Sequence, residues 1–447
     1  MNFENKKISN LDNLSNTDKI LLFTILPIPF FLATSIFLAD FFASIAAITL
    51  IFIFFKKKSQ LIFLSIKIEI ILLCIFYVII LNSLIFSDFT QKSLLPSIFY
   101  FRHIFLSLAI FYLLKKHAFV INYFFYSILI TLIIVFIDSY IQLFFDTNFF
   151  GYPMDNSSGL KILTGFFDDE KKLGSYTFRA VSLLFIVSYL KIKNINSNLY
   201  FLFLIFGLFI IFFSSERVAL FSFLILILSY YLMIRKKFLP LFLFFITLVS
   251  LLYLNENFKK KFIDATFKEQ IGLNLNFEEE KVSKEIKMEK KILRYFSKEH
   301  EDFVFTGYNI FKNNIFTGSG VKTFLDACLL MKINKPIKVK NVRENSYVCS
   351  THPHNIYIQL LSDTGIFGFL LVLYLLLYIL FTNLKNMFSK KDNYYVAYNF
   401  ASIALFLNIM PFIPSGSIFN NWISLILHFT LGFWIYTKSN LKNDQKH

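Results

Sequence analysis

Apolar runs long enough to cross a bilayer recur along almost the whole chain, and no other feature constrains its fold as strongly. They lie at Ile20–Leu38, Phe41–Phe55, Ile68–Phe86, Pro96–Leu114, Ala118–Phe144, Leu173–Leu190, Tyr200–Phe213, Val218–Ile234, Phe238–Leu254, Ile356–Phe381, Tyr395–Phe412 and Phe419–Tyr436. Pro27, Pro29 and Asp40 interrupt the first long stretch. With 56% hydrophobic residues and 62 Phe in 447, the composition excludes a soluble domain of this length. The expected fold class is an all-α polytopic membrane protein with about twelve transmembrane helices.

Orientation follows from the basic residues. With the N-terminus inside, the inner loops hold Lys6, Lys7 and Lys19, then Lys56–Lys58, Lys115–Lys116, Lys191 and Lys193, Arg235–Lys237, Lys385 with Lys390 and Lys391, and finally Lys438, Lys442 and Lys446. Every even-numbered span ends in such a cluster, so both termini are expected to be cytoplasmic. The net charge of +16 is mostly this topological signal. No soluble basic domain carries it, which excludes a nucleic-acid partner. The N-terminal region is long and polar, and the first run lacks a small-residue cleavage site, so it reads as a signal anchor.

This topology divides the chain into three parts. Residues 1–254 hold spans one to nine, with a short outer loop near 145–172. Residues 255–353 form a large outer loop. Residues 354–447 hold the last three spans. The stretch Phe277–Glu301 in the large loop is densely charged and reads either as a solvated helix or as a mobile loop. Cys74 lies within a span and reads as packing. Cys328 and Cys349 share the large loop; an oxidising compartment favours a bridge between them over two free thiols.

The segment "THPHNIYIQLLSDTGIFGF" places His354 and Asn355 at the outer mouth of the tenth span, followed after nine residues by Gly365-Ile-Phe-Gly368. This pattern, His-Asn-x9-Gly-x-x-Gly, resembles the signature of the O-antigen ligase and polymerase family of membrane glycosyltransferases. Other stretches are similar to the same family: Asp138–Tyr152, Thr164–Arg179, "SSERVALFSF" at Ser214–Phe223, Tyr308–Cys328 with Cys349, and "PSGSIFNNW" at Pro414–Trp422. Together they cover most of the chain from Asp138 onward. The resemblance implies a GT-C-like membrane fold and a donor glycan carried on undecaprenyl pyrophosphate. It further implies an active site facing the periplasm of a bacterial inner membrane. The acceptor implied first is lipid A-core; a growing glycan or a protein is the alternative.

The residues support that chemistry in their own right. His354 titrates near neutrality and suits proton transfer from an acceptor hydroxyl; His352 is its closest rival, and Pro353 fixes the turn between them. Asn355 joins the candidate substrate-binding set. Arg217 stands at the outer start of the eighth span, Arg179 about two turns into the sixth, and Arg102 at similar depth in the fourth, beside His103. An arginine at membrane depth is costly, and its planar fork suits a pyrophosphate. Arg217 is therefore expected to be catalytic, with Arg179 and Arg102 binding substrate. Asp138, in the outer half of the fifth span, orients an arginine or a substrate hydroxyl, or forms a structural ion pair. Gly365 is roughly 16 Å of helical rise beyond His354, so Gly365 and Gly368 read as structural, permitting close helix packing.

Pyrophosphate is a good leaving group, so arginines can stabilise it without a metal. Asp168-Asp169-Glu170 are consecutive and do not converge on one ion; no metal or cofactor is expected. Direct attack by the acceptor inverts the anomeric centre. A lipid-linked glycan flippase is the non-enzymatic alternative, but it predicts internal repeats and charges spread along a path. Here no repeat is visible and the candidates cluster at one face.

Overall fold

The computed structural model describes residues 11–156, 161–191, 197–234, 297–334, 346–386 and 393–444, with isolated positions between 242 and 263. No strand occurs among them; the extended pairings are isolated bridges, Thr147 with Pro153 and Asp155 with Ile162. The helices up to residue 234 are α1 (Asn16–Ile25), α2 (Ile28–Thr34), α3 (Ile36–Phe54), α4 (Lys57–Phe63), α5 (Lys67–Ile85), α6 (Thr90–Ile98), α7 (Phe101–Lys116), α8 (Ile121–Phe145), α9 (Leu173–Lys191), α10 (Ser197–Phe213) and α11 (Arg217–Ile234). They are followed by α12 (Lys298–Asn313), α13 (Phe324–Asn334), α14 (Ile356–Asn386), α15 (Asn393–Asn408) and α16 (Asn421–Asp444).

Seven described segments are long and apolar enough to cross a membrane: Asn16–Thr34, Ile36–Phe54, Ser59–Ile85, Thr90–Lys116, Ala118–Phe145, Leu173–Lys191 and Ile356–Asn383. Tyr200–Phe213 and Arg217–Met233 are shorter apolar helices. The protein is an α-helical polytopic membrane protein. The expected count of twelve is larger than these seven. Most of Phe238–Leu254 lies outside the described residues. The last two expected spans coincide with α15 and α16, which are not among the seven. Helix α16 packs against α7, α15 and α3. Its Ser424, His428, Thr430 and Thr437 are buried against protein, so this helix does not need the apolarity that lipid contact demands.

Local chemistry explains where helices begin. Ser15 and Ser35 cap α1 and α3, their side chains accepting from the Asp18 and Leu38 amides. At the basic end of the bundle, buried Asp18 accepts from Lys116 at 2.8 Å and from Tyr112 at 3.1 Å. Lys438 pairs with Glu69 at 2.9 Å. Both pairs tie the termini of neighbouring helices at the face that carries the lysine clusters.

The tenth expected span is not one continuous helix. Gly365 interrupts α14 with φ +70° and ψ −166°, a backbone region that favours glycine. The carbonyls released there are taken by the loop after α12. Ser319 and Gly320 donate their amides to Ser362 and Asp363 at 2.7 and 3.0 Å, and Ile366 donates to Ile315 at 2.8 Å. A Cβ on Gly365 would lie 2.4 Å from the Phe316 carbonyl oxygen, and one on Gly318 2.4 Å from the Asp363 backbone. This corrects the reading of Gly365 as a helix-packing residue: it breaks the helix so that a loop backbone can dock. Gly368 sits within the resumed helix, over the Thr364 side chain.

Candidate functional site

The histidine loop is positioned by what precedes it. Residues 346–350 run along α12, where buried Asp302 accepts from the Ser346 amide at 3.0 Å and from its hydroxyl at 3.2 Å. Thr306 Oγ1 accepts from the Val348 amide at 3.2 Å. Cys349 forms a disulfide with Cys328 of α13. Ile310, Phe324, Cys328, Met331 and Tyr347 enclose that bridge in a small core of their own. The chain therefore enters the loop from a rigid support.

On leaving the loop, Asn355 caps the next helix. Its side-chain oxygen accepts from the Tyr357 and Ile358 amides at 3.0 and 3.1 Å. Between these anchors His354 holds φ +52°, an uncommon conformation for a side chain of this size. Its carbonyl accepts from the Ser415 amide at 2.9 Å. The imidazole Nε2 lies 3.4 Å from Ser350 Oγ. Its ring centroid is 4.1 Å from that of His352, 5.0 Å from Phe303 and 6.0 Å from His300. Burial first, then the neighbouring His352 and His300, lowers the His354 pKa to about 4. The ring is neutral at pH 7.

The structure thus brings His352 and His354 together and adds two groups that sequence reasoning missed. His300 reaches the loop from the first turn of α12, where Ser297 caps the helix and meets His300 Nδ1 at 2.8 Å. Phe303, on the same helix, lies against the His354 ring. A Ser-x-x-His at a helix start is no functional signal on its own. His352 differs from His354: its Nδ1 lies 3.0 Å from Thr351 Oγ1, and burial lowers its pKa too.

The arginines divide. Buried Arg179 donates Nε to Asn408 Oδ1 at 2.7 Å and Nη1 to the Ser175 carbonyl at 2.9 Å. Its guanidinium lies 4.4 Å from the Phe178 ring centroid and 5.5 Å from that of Trp422. The Asn408 neighbour Ile409 accepts from Tyr357 Oη at 2.8 Å, so Arg179 and the histidine loop belong to one end of the bundle. Glu216 accepts from the Gly174 and Ser175 amides at 2.6 and 3.0 Å, capping α9 with its carboxylate. Its enclosure raises its pKa to about 7, against those hydrogen bonds and the Arg179 charge. Arg217 follows it as the first residue of α11 and is partly exposed.

Arg102 is held in an ion pair with Asp40. It donates Nε and Nη2 to the two Asp40 oxygens at 2.7 and 3.0 Å, Nη2 to Asn421 at 3.2 Å, and Nη1 to the Phe99 carbonyl at 2.7 Å. Asp138 faces no arginine in its hydrogen bonds. It accepts from Asn148 Nδ2 at 3.3 Å and from the Phe149 amide at 3.0 Å, and so shapes the 145–172 loop. Asp168 and Asp169 stay on that loop, where Glu170 pairs with Lys172.

Residues 202–373, less than half of the chain, match the family model described as O-antigen ligase. The match contains Arg217, His352, His354, Asn355, Gly365, Gly368 and both disulfide cysteines; Arg102, Asp138 and Arg179 fall outside it. Among curated proteins, none matches the chain.

Proposed function

Taking as premise that this chain carries an O-antigen ligase family domain, we propose that it transfers a glycan from undecaprenyl pyrophosphate to lipid A-core at the periplasmic face of a bacterial inner membrane. About twelve spans with both termini cytoplasmic place the histidine end in the periplasm. The observation that carries the reading is His354. It is a neutral imidazole on a strained, doubly anchored loop, its Nε2 3.4 Å from the Ser350 hydroxyl, at the same end of the bundle as Arg179.

The reaction forms a bond from the acceptor oxygen to the anomeric carbon and breaks the bond from that carbon to pyrophosphate. The leaving group takes the electron pair. Arg217 and Arg179 stabilise its charge, with no metal required. His354 accepts the acceptor hydroxyl's proton, or aligns that hydroxyl for attack. A base with a pKa near 4 is weak in the free enzyme. A bound pyrophosphate would raise it towards neutrality, because a nearby anion favours the imidazolium.

Deleting the gene and resolving the cell's lipopolysaccharide on a gel tests the acceptor. Bare core supports ligation. Core carrying a single repeat would replace it with chain polymerisation. Unchanged lipopolysaccharide with loss of a glycoprotein would point to a protein acceptor.

A further inference from the structure

Two cavities share the lining residue Tyr100, and neither is lined by His354, Arg217 or Arg179. The first is polar, about 390 Å³, and is lined by Asp40, Arg102, His103, Lys322 and Asn421 among others. It holds two cations and one carboxylate. That carboxylate is engaged with Arg102, whose hydrogen bonds leave one Nη1 hydrogen unspent. Lys322 is exposed to the cavity at φ +62°, with its backbone amide on Asp363 Oδ2 at 3.3 Å. Its ammonium has no hydrogen-bond or ion-pair partner among the described residues. Enclosure, then the Arg102 charge, lowers its pKa, while Asp40 raises it. His103 is 2% exposed, and its Nδ1 has no hydrogen-bond partner among the described residues. The cavity therefore carries an uncompensated positive charge and an unmet polar group.

The second cavity is an apolar cleft between α5, α14 and α16, lined by Phe76, Leu371, Leu375 and Leu431 among others. Ile418 lines it and the adjacent Phe419 lines the polar cavity. From Leu427 to Lys438 the cleft follows α16 for about 16 Å. It ends at the Lys438–Glu69 pair. The polar cavity is cationic, and the cleft walls between Tyr100 and the Lys438–Glu69 pair are apolar, which is the pattern of an anionic amphiphile.

We propose that these adjacent cavities together bind a phosphate-bearing lipid, its phosphate on Lys322 and the free Nη1 hydrogen of Arg102, its hydrocarbon chain passing Tyr100 into the cleft. The phosphate supplies the counter-charge that the cavity lacks, and charge-assisted bonds of this kind are strong where water is partly excluded. The chain fills apolar volume that the helices leave open. Binding of such a lipid is separate from glycan transfer, so it stands or falls on a binding measurement.

The test is a native mass-spectrometry titration of the full chain with dioleoyl phosphatidic acid, dioleoylglycerol and inorganic phosphate. Phosphatidic acid is expected to bind about tenfold more tightly than dioleoylglycerol, the size of one charge-assisted contact. Lys322→Gln, at an exposed side chain, should remove most of that preference. Leu375→Trp should weaken both lipids by filling the cleft. Equal affinity for the two lipids, or an unchanged preference in Lys322→Gln, would refute recognition of the phosphate. Inorganic phosphate competing as well as phosphatidic acid would refute the role of the cleft and leave a free-anion site.

Discussion

The histidine loop and the Arg102 cluster lie at the same end of the bundle, yet they treat polar groups in opposite ways. At Arg102 a carboxylate was brought in from another helix, and both Asp40 oxygens are used. The backbone there is ordinary helix. At His354 the backbone is left-handed, three imidazoles crowd one another, and among the described residues no carboxylate hydrogen-bonds the His354 ring. Arg179 belongs with the second pattern: its hydrogen bonds go to neutral groups, Asn408 and a carbonyl. The Arg102–Asp40 pair is neutralised within the protein and contributes to folding; the open charge beside it is Lys322. Strain and unmatched polar groups persist where something else must bind.

The sharpest way to break this contrast is to remove the imidazole. His354→Ala should lower transfer by a factor of about 10²–10⁴ while membrane insertion and melting stay near wild type. His352→Ala should cost less, because its ring supports the loop. Measuring lipopolysaccharide ligation in complemented deletion cells ranks the two. If His352→Ala is the more damaging, the reacting group is His352.

Arg217 gives the next effect. Arg217→Ala should lose roughly 2–4 kcal/mol of transition-state stabilisation. Arg217→Lys should recover only part, because an ammonium lacks the bidentate fork. Near-normal ligation by the lysine variant would make Arg217 a lipid-facing anchor instead.

Much of this was legible in the sequence. His354 and Asn355 fall at the start of a helix because a polar, proline-containing turn precedes an apolar run. Oxidising topology led to Cys328 and Cys349. The meaning of Gly365 was not legible. A glycine in an apolar run reads the same whether it packs against a helix or breaks one, and the loop that needs the break lies over forty residues earlier. Arg102 and Arg179 looked alike for a related reason. Asp40 and Asn408, which distinguish them, are 62 and 229 residues away. His300 escaped because its relation to the loop is made by tertiary packing alone. Lys322 escaped because a lone lysine in a polar loop gives no signal until Arg102 is seen beside it.

On the structural side, Asp40→Asn should destabilise the fold by about 3 kcal/mol, since it leaves a largely buried guanidinium without its counter-charge. The double variant Asp40→Leu/Arg102→Met should recover most of that loss. Thermal melting in detergent measures both. A larger drop in transfer rate than in stability for Asp40→Asn would move this cluster to the functional side of the comparison. The disulfide provides a milder version of the same test. Opening a loop of 21 residues should cost about 3 kcal/mol or less. In Cys328→Ser/Cys349→Ser the loss should fall on the α12–α13 support, and transfer should decline through a mobile histidine loop. Unchanged activity with a lower melting temperature would separate that support from the site.

The smallest expected effect is on pH dependence, and it bears most directly on how the loop works. An imidazole must be neutral to accept a proton. An ordinary histidine is about three-quarters protonated at pH 6, and would cost about fourfold in rate there relative to high pH. His354, lowered to about 4 by burial and its two histidine neighbours, stays neutral at pH 6. So kcat/KM, which reports the free enzyme, should be flat from pH 7.5 down to about 5 and fall only as pH approaches 4. The same depressed value means that its contribution to stability is present above about pH 6.5 and lost as pH falls through about 4, so melting must be followed in parallel. The limb of kcat should lie higher, because in the complex a pyrophosphate beside the ring favours its protonated form. A kcat/KM limb near 6.5 would mean that the free ring is solvated and the loop does not enclose it. Coincident limbs for kcat and kcat/KM would mean that the donor phosphates bind too far from His354 to be felt, which would detach the histidine from the arginines.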